Sequence, residues 1–317
     1  MQPLAIRAYT LTTAAGTGRV AALRALVGRR TGLTPYRDPH GLETFAGEVR
    51  GLDDAAVIPS LAAYDCRNHR LAQFALDQDD FAAAVGEAAR RYGPERIAVL
   101  AATTTSGIRE TERAYERREP DGALPADFRF DTVHSLSALG DFVAHYLGVE
   151  GPRYTLSTAC SSSAKVFASA ARLIAAGIVD AAVVGGVDSL CRNTLYGFNA
   201  LELVSKSPCR PCDRDRDGIS IGEGAAFALL ERANAAPAGL RLAGYGESSD
   251  AHHMSAPHPE GRGATAAMKA ALAVAGLAPA DIGYVNLHGT ASVVNDRIED
   301  RAVHGLFGSS TPCSSTK

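Results

Sequence analysis

A layered α/β fold is predicted by three observations. Short apolar runs of strand character alternate with Ala-rich runs of helical spacing along the 317 residues. The chain is 46% hydrophobic, enough to bury a large core as two domains or one large layered unit. The most apolar stretches, such as Asp180-Ala-Ala-Val-Val-Gly-Gly-Val187, are too short to cross a bilayer and read as buried strands.

The elements follow in order. Leu4–Thr10 is an apolar, Thr-containing strand, and Arg19–Val27 and Phe81–Tyr92 are Ala-rich helices. Ile97–Ala102 is a continuous apolar strand. Arg109–Gly122 mixes both charge signs and ends in Pro-Asp-Gly, so it is expected as a solvated helix and loop. Arg153–Ser157 is a strand before a helix at Val166–Ala176, whose Val166, Phe167, Ala170, Leu173 and Ile174 recur at helical spacing ahead of a capping Gly177. Ala181–Val184 and Ala225–Leu230 are further strands. Ala233–Gly239 then carries turn-forming residues and marks a boundary between residues 1–238 and 239–317. Beyond it lie a strand at Leu240–Gly246, a helix at Ala264–Ala275 and a strand at Ile282–Leu287. Ile97–Ala102 runs into Thr-Thr-Thr-Ser-Gly107, and Ile282–Leu287 into His-Gly-Thr-Ala-Ser292; this echo suggests an internal duplication.

Charge narrows the function classes. With 32 Lys and Arg against 35 Asp and Glu, a net −3 gives no bulk attraction to nucleic acid. The six cysteines are scattered, so reduced thiols and a cytoplasmic setting are expected. Met1–Gly16 lacks the apolar core of a secretory signal, and no membrane span is expected.

Chemistry concentrates where strands end in small polar residues, the usual place for sites in α/β folds. Cys160, in Leu156-Ser-Thr-Ala-Cys-Ser-Ser-Ser-Ala164, stands between a strand and a helix, where unpaired N–H groups and the macrodipole favour thiolate over thiol. On this segment alone it is either a nucleophile or a buried core cysteine. Three further segments share the pattern: Tyr284–Asp296 around His288, Ser314–Lys317, and Arg210–Gly224.

Together these segments resemble the β-ketoacyl-[acyl carrier protein] synthases, specifically the elongating type with a Cys-His-His site on the thiolase-like fold. The resemblance runs from Leu4 to Lys317, and Asp250–Gly261 is close to another family signature. It implies a layered αβαβα fold with internal duplication. It also implies 3-oxoacyl-[acyl carrier protein] synthase activity in fatty acid or polyketide synthesis: an acyl chain moves to Cys160 and is elongated by decarboxylative Claisen condensation with a malonyl thioester. His288 would donate to the developing oxyanion. Lys317 would add positive charge, its ammonium paired with Glu299. Thr290 and Ser292 match positions that hold the pantetheine arm, and Ile108 and Phe198 positions lining the acyl pocket. Arg67 and Arg70 are the best match for contact with an acidic carrier protein. No cofactor is implied beyond the carrier's phosphopantetheine. The assembly implied is a homodimer, or a heterodimer with a related synthase. A chain-length-determining partner of an active synthase is the alternative, against which the retained Cys160 argues.

Other motifs read as structural. Cys209-Arg-Pro-Cys212 lacks the second pair that a zinc site needs, and no metal is expected. Of His252, His253 and His258, the signature match makes His253 structural. Gly185-Gly186 lacks the rest of a dinucleotide fingerprint. Relatives continue past the lysine with a Gly-His pair and a Gly-Phe-Gly loop, so a longer polypeptide, extending the second half beyond Lys317, is expected.

Overall fold

Side-chain alternation in two central strands sets the architecture. In the computed structural model, which describes residues 1–233, 239–253 and 256–317, strand β5 (Ile97–Ala102) is buried throughout. Ile97, Val99 and Ala101 enter one core, and Ala98, Leu100 and Ala102 another. In β7 (Ala181–Asp188), Ala181 and Val183 join the first core while Ala182 and Val184 join the second. A strand buried on both sides requires helices on both faces of its sheet.

That sheet also contains β1 (Leu4–Thr13), β6 (Arg153–Leu156), β9 (Gly224–Arg232) and β10 (Arg241–Leu242), in the order β10-β1-β9-β7-β5-β6. The short β2 (Gly16–Thr17) folds back on the end of β1. Strands β5, β6 and β7 are parallel, and β9 runs antiparallel between β7 and β1. A small sheet of β3 (Thr34–Arg37), β4 (Glu43–Gly47) and β8 (Ile221–Gly222) lies apart from it.

One face is covered by α2 (Arg67–Leu76), α3 (Phe81–Tyr92) and α5 (Ser137–Leu147), which supply Leu71, Phe81, Val85, Leu139 and Phe142. The other is covered by α6 (Ser162–Ala175), through Val166, Ala170 and Ile174. Helix α1 (Arg19–Val27) follows β2 and packs against β1 and β2, and α4 (Ile108–Glu116) packs against α7 (Arg192–Ala200). The remaining elements are α8 (Arg262–Ala275), α9 (Val293–Phe307) and a parallel pair, β11 (Val285–Asn286) with β12 (Cys313–Ser314).

The structure departs from several of the expected elements. Helix α6 starts at Ser162, earlier than the apolar periodicity shows, because serine hydroxyls stitch its first turn. The run Leu240–Gly246 pairs only at Arg241–Leu242. Gly244 and Gly246 instead lie flush on α8, where a Cβ would stand 2.6 Å from Ala271 O and 1.9 Å from Ala267 O. Likewise Ile282–Leu287 forms a ladder only at Val285–Asn286. The expected boundary at 238/239 falls against residues 234–238, and Met254 and Ser255 of the Asp250–Gly261 segment are also outside the described residues.

Candidate active site

The chain leaves β6 at Leu156 and turns into α6 within five residues. Ala159 takes a left-handed φ of +54°, a conformation that costs a non-glycine residue energy and must be held by its surroundings. Small hydroxyl residues hold it. Ser162 Oγ donates to Ala159 O (2.6 Å) and accepts the Thr158 N–H (2.7 Å), and Ser161 Oγ donates to Thr158 O (2.8 Å). At the crest of this turn Cys160 is exposed, whereas Cys66 and Cys191 are buried. The core-cysteine reading of Cys160 is thereby excluded. Beneath the turn, a Cβ on Gly186 would lie 2.3 Å from Ser163 Oγ, and one on Gly185 2.2 Å from Ala226 O. The glycine pair of β7 therefore lets α6 and β9 approach closely.

The second group is assembled by parallel strand pairing. Val285 is in register with Cys313, and Asn286 with Ser314, so the residues after β11 and β12 emerge at the same end. Two residues past β11, His288 meets Lys317: Lys317 Nζ lies 2.8 Å from His288 Nδ1 and donates to His288 O at 2.8 Å. An ammonium has only donors, so Nδ1 must accept and the proton of a neutral imidazole sits on Nε2. Desolvation by the surrounding protein, followed by the Lys317 charge, pushes the His288 pKa below the ordinary histidine value. Desolvation also lowers Lys317, opposed first by the charge of Cys160 and then by Glu299.

Glu299 does not pair with the lysine ammonium, contrary to expectation. Its carboxylate accepts the backbone N–H groups of His288 (2.6 Å) and Gly289 (2.8 Å), with Asn295 Nδ2 at 3.4 Å. Both oxygens are committed to the loop, and Lys317 Nζ turns to His288 instead. Gly289 has φ +46°, and a Cβ there would stand 2.4 Å from that of Ser315, so the loop also needs its glycine.

Thr290 Oγ1 and Ser292 Oγ are 2.9 Å apart, and Ser292 caps α9 by accepting the Asn295 N–H. Ile108 opens α4 and Phe198 lies in α7, each partly buried on the two packed helices. Arg67 requires a correction as a carrier contact. Its side chain is 4% exposed and grips Glu223 through Nε (2.8 Å) and Nη2 (2.6 Å), with Nη1 on Asp53 (2.9 Å). Glu223 also accepts the Val49 and Leu190 N–H groups, so Arg67 ties loops together from inside. Arg70 is 23% exposed and is held by both carboxylate oxygens of Asp65.

Two carboxylates escaped the sequence reading. Asp296 is buried, accepts the Cys212 N–H at 2.8 Å and lies 3.5 Å from Arg216 Nε, linking the Arg210–Gly224 loop to α9. Its three-residue offset from Glu299 puts both on one helix face, a signal present in the sequence. Asp188, at the end of β7, accepts the hydroxyls of Thr103, Thr104 and Thr105 and the Thr104 and Thr105 N–H groups, fixing the turn after β5. In the 250–261 segment, Asp250 accepts the His258 and Gly263 N–H groups, a structural role.

Comparison with known proteins agrees with this geometry. The chain is 42% identical over 185 residues to 3-oxoacyl-[acyl-carrier-protein] synthase 2 of Rhizobium meliloti (strain 1021), covering 53% of the chain and 44% of that protein. It is 35% identical over 173 residues to the Staphylococcus aureus protein of the same name, covering 51% and 43%. The chain thus spans about half the length of the curated relatives it matches. Among solved structures it is similar to the ketosynthase (ApeO) in complex with its chain length factor (ApeC) from Xenorhabdus doucetiae, with a TM-score of 0.89 and 41% identity over 100% of this chain and 79% of that one. It is also similar to a β-ketoacyl synthase from Burkholderia phymatum STM815, with a TM-score of 0.83 and 26% identity over 100% of this chain and 81% of that one. The layered α/β fold is accordingly thiolase-like. Family models for the β-ketoacyl synthase N-terminal domain and C-terminal domain match residues 70–236 and 240–317, and the chain belongs to the β-ketoacyl synthase family.

Proposed function

We propose that this chain carries the acyl-accepting centre of a 3-oxoacyl-[acyl carrier protein] synthase. Cys160 Sγ attacks the thioester carbonyl of an acyl carrier, the C–S bond to the carrier's pantetheine breaks, and the acyl chain rests on Cys160. A malonyl carrier then loses carbon dioxide. The resulting enolate carbon attacks the acyl carbonyl and expels the Cys160 thiolate, giving an elongated 3-oxoacyl carrier.

The 2.8 Å contact of Lys317 Nζ with His288 Nδ1 carries this reading. It leaves the Nε2–H as a fixed neutral donor, the group that a developing enolate oxygen requires. Lys317 orients this donor and adds charge, Glu299 anchors the loop beneath it, and Thr290 and Ser292 are assigned to the pantetheine arm. Ile108 and Phe198 are assigned to the acyl pocket. The reaction needs no cofactor besides the carrier's own arm. The assembly proposed is a dimer, with a copy of itself or with a related chain, the latter supported by the similarity to ketosynthase–chain length factor complexes. Its setting is cytoplasmic, in keeping with the fact that no helix among the described residues is long and apolar enough to cross a membrane.

Intact-mass spectrometry of the protein incubated with acyl carrier thioester tests the proposal. One acyl group is expected on the protein and none on Cys160→Ala. An unmodified protein under turnover conditions would overturn it, and would favour the chain-length-determining role.

A further inference from the structure

Helix α1 turns its large aliphatic side chains away from its own sheet. At 3.6 residues per turn, Val20, Leu23 and Val27 fall on the side opposite Ala22 and Ala25, the two buried residues of the helix. Small side chains face the protein and large aliphatic ones face away. Val20, Leu23, Leu26 and Val27 are 62%, 61%, 59% and 77% exposed. Around them stand Arg24, Arg29 and Arg30, whose exposed side chains have no hydrogen bond or ion pair among the described residues. Arg19 sits over the Tyr9 ring and pairs with Asp79.

Charge is segregated to match. Residues 1–37 contain arginine at 7, 19, 24, 29, 30 and 37 and no acidic residue; all 35 Asp and Glu lie beyond them, in a chain of net charge −3. We propose that α1 and the Arg29–Arg30 turn form a docking surface for the anionic face of a phospholipid bilayer. The helix would lie in the headgroup plane, with Leu23, Val27 and Val20 entering the acyl boundary and the arginines on lipid phosphates. Composition favours lipid over a protein partner. Binding hot spots between proteins are rich in Trp and Tyr and poor in Leu and Val, and a helix facing outward offers a convex ridge. The surface rests on a membrane and does not span it.

Flotation of the full chain with vesicles on a density gradient tests this, since aggregated protein sinks. With vesicles of equal parts phosphatidylglycerol and phosphatidylcholine the protein is expected to float, and with phosphatidylcholine alone to stay at the bottom. Leu23→Ser with Val27→Ser is expected to weaken flotation about tenfold or more. Arg24→Gln, Arg29→Gln and Arg30→Gln together should weaken it roughly 100-fold, as should high salt acting on the wild type. Circular dichroism of both variants should match the wild type, the changed side chains being exposed. Failure to float with anionic vesicles, or equal flotation of all variants, would overturn the proposal. So would a change in solution mass by light scattering for Leu23→Ser/Val27→Ser without flotation of the wild type, which would assign the ridge to a protein contact.

Discussion

Lys317 Nζ stands 2.8 Å from Nδ1 of His288, a residue 29 positions earlier, because β11 and β12 run parallel and end together. Substituting Lys317 by Met removes the donor that fixes the imidazole tautomer and the charge that lowers its pKa. Malonyl decarboxylation, followed as carbon dioxide release, is expected to fall about 100-fold or more, the usual effect of losing one oriented donor. The pH profile discriminates further. A lowered pKa keeps His288 neutral as pH falls through the ordinary histidine value, so the acid limb of the wild type lies below that value. In Lys317→Met the limb should move up toward it; an unmoved limb would rule out this coupling.

His288→Ala separates the two half-reactions. Acylation of Cys160 does not use the Nε2 donor in the proposed scheme, so the acyl-enzyme should still form by mass spectrometry. Carbon dioxide release should be lost. Unchanged release would count against the donor role.

Glu299 accepts two backbone N–H groups from the His288–Gly289 turn. Glu299→Gln keeps the shape but removes the charge and turns one acceptor into a donor facing an amide. Leaving such a group poorly satisfied costs about 1–3 kcal/mol. Urea denaturation should show a loss of that size, with carbon dioxide release falling as well. A stable variant with full decarboxylation would show that the carboxylate is dispensable to the loop.

These residues mark how much was legible. Apolar periodicity located α3 at its observed limits, since Phe81, Val85 and Ala88 meet the core through one face; the continuous apolar run located β5, and the Ala-rich run located α1. Periodicity missed α2, whose buried side includes Arg67, Asn68 and His69. A polar residue that finds its partner 156 positions away, as Arg67 finds Glu223, carries no local sign of burial. The same blindness made Arg67 look like a surface contact. The pairing expected for Lys317 failed for a related reason: spacing places Glu299 near the loop, but only the turn geometry decides whether amides or the ammonium reach its oxygens.

His69 offers a pH-dependent stability test. It is fully buried and stacked on Phe142 at 4.9 Å, with Nδ1 2.7 Å from Tyr64 O. A carbonyl accepts, so Nδ1 carries the proton and the buried Nε2 is left without a partner among the described residues. Burial lowers the pKa from 6.5 to about 4. Between these values the unfolded chain binds a proton that the folded chain does not, so stability is complete above pH 6.5 and is lost as pH falls toward 4. At about pH 5 the loss from this group should be about 2 kcal/mol. His69→Phe should lack that component, as read from urea midpoints at the two ends of the range; an identical acid dependence in the variant would exclude His69 as its source.

Gly186 tests whether the nucleophile turn depends on the sheet beneath it. A Cβ at this position would lie 2.3 Å from Ser163 Oγ and 3.3 Å from Ser163 Cβ, on the first turn of α6. Gly186→Ala must push that turn outward or tilt the serine, an overpacking change that costs about 1–3 kcal/mol. Ser163→Ala removes the closer atom. Combined with Gly186→Ala it should recover a good part of the loss, so the two changes couple by about 1 kcal/mol or more in a double-mutant cycle. Displacing α6 also moves Cys160, three residues before Ser163, and acylation by carrier thioester should slow in Gly186→Ala and return in the double variant. Additive stabilities, with acylation equal in all four proteins, would mean that the turn is held by its own serines and not by the glycine of β7.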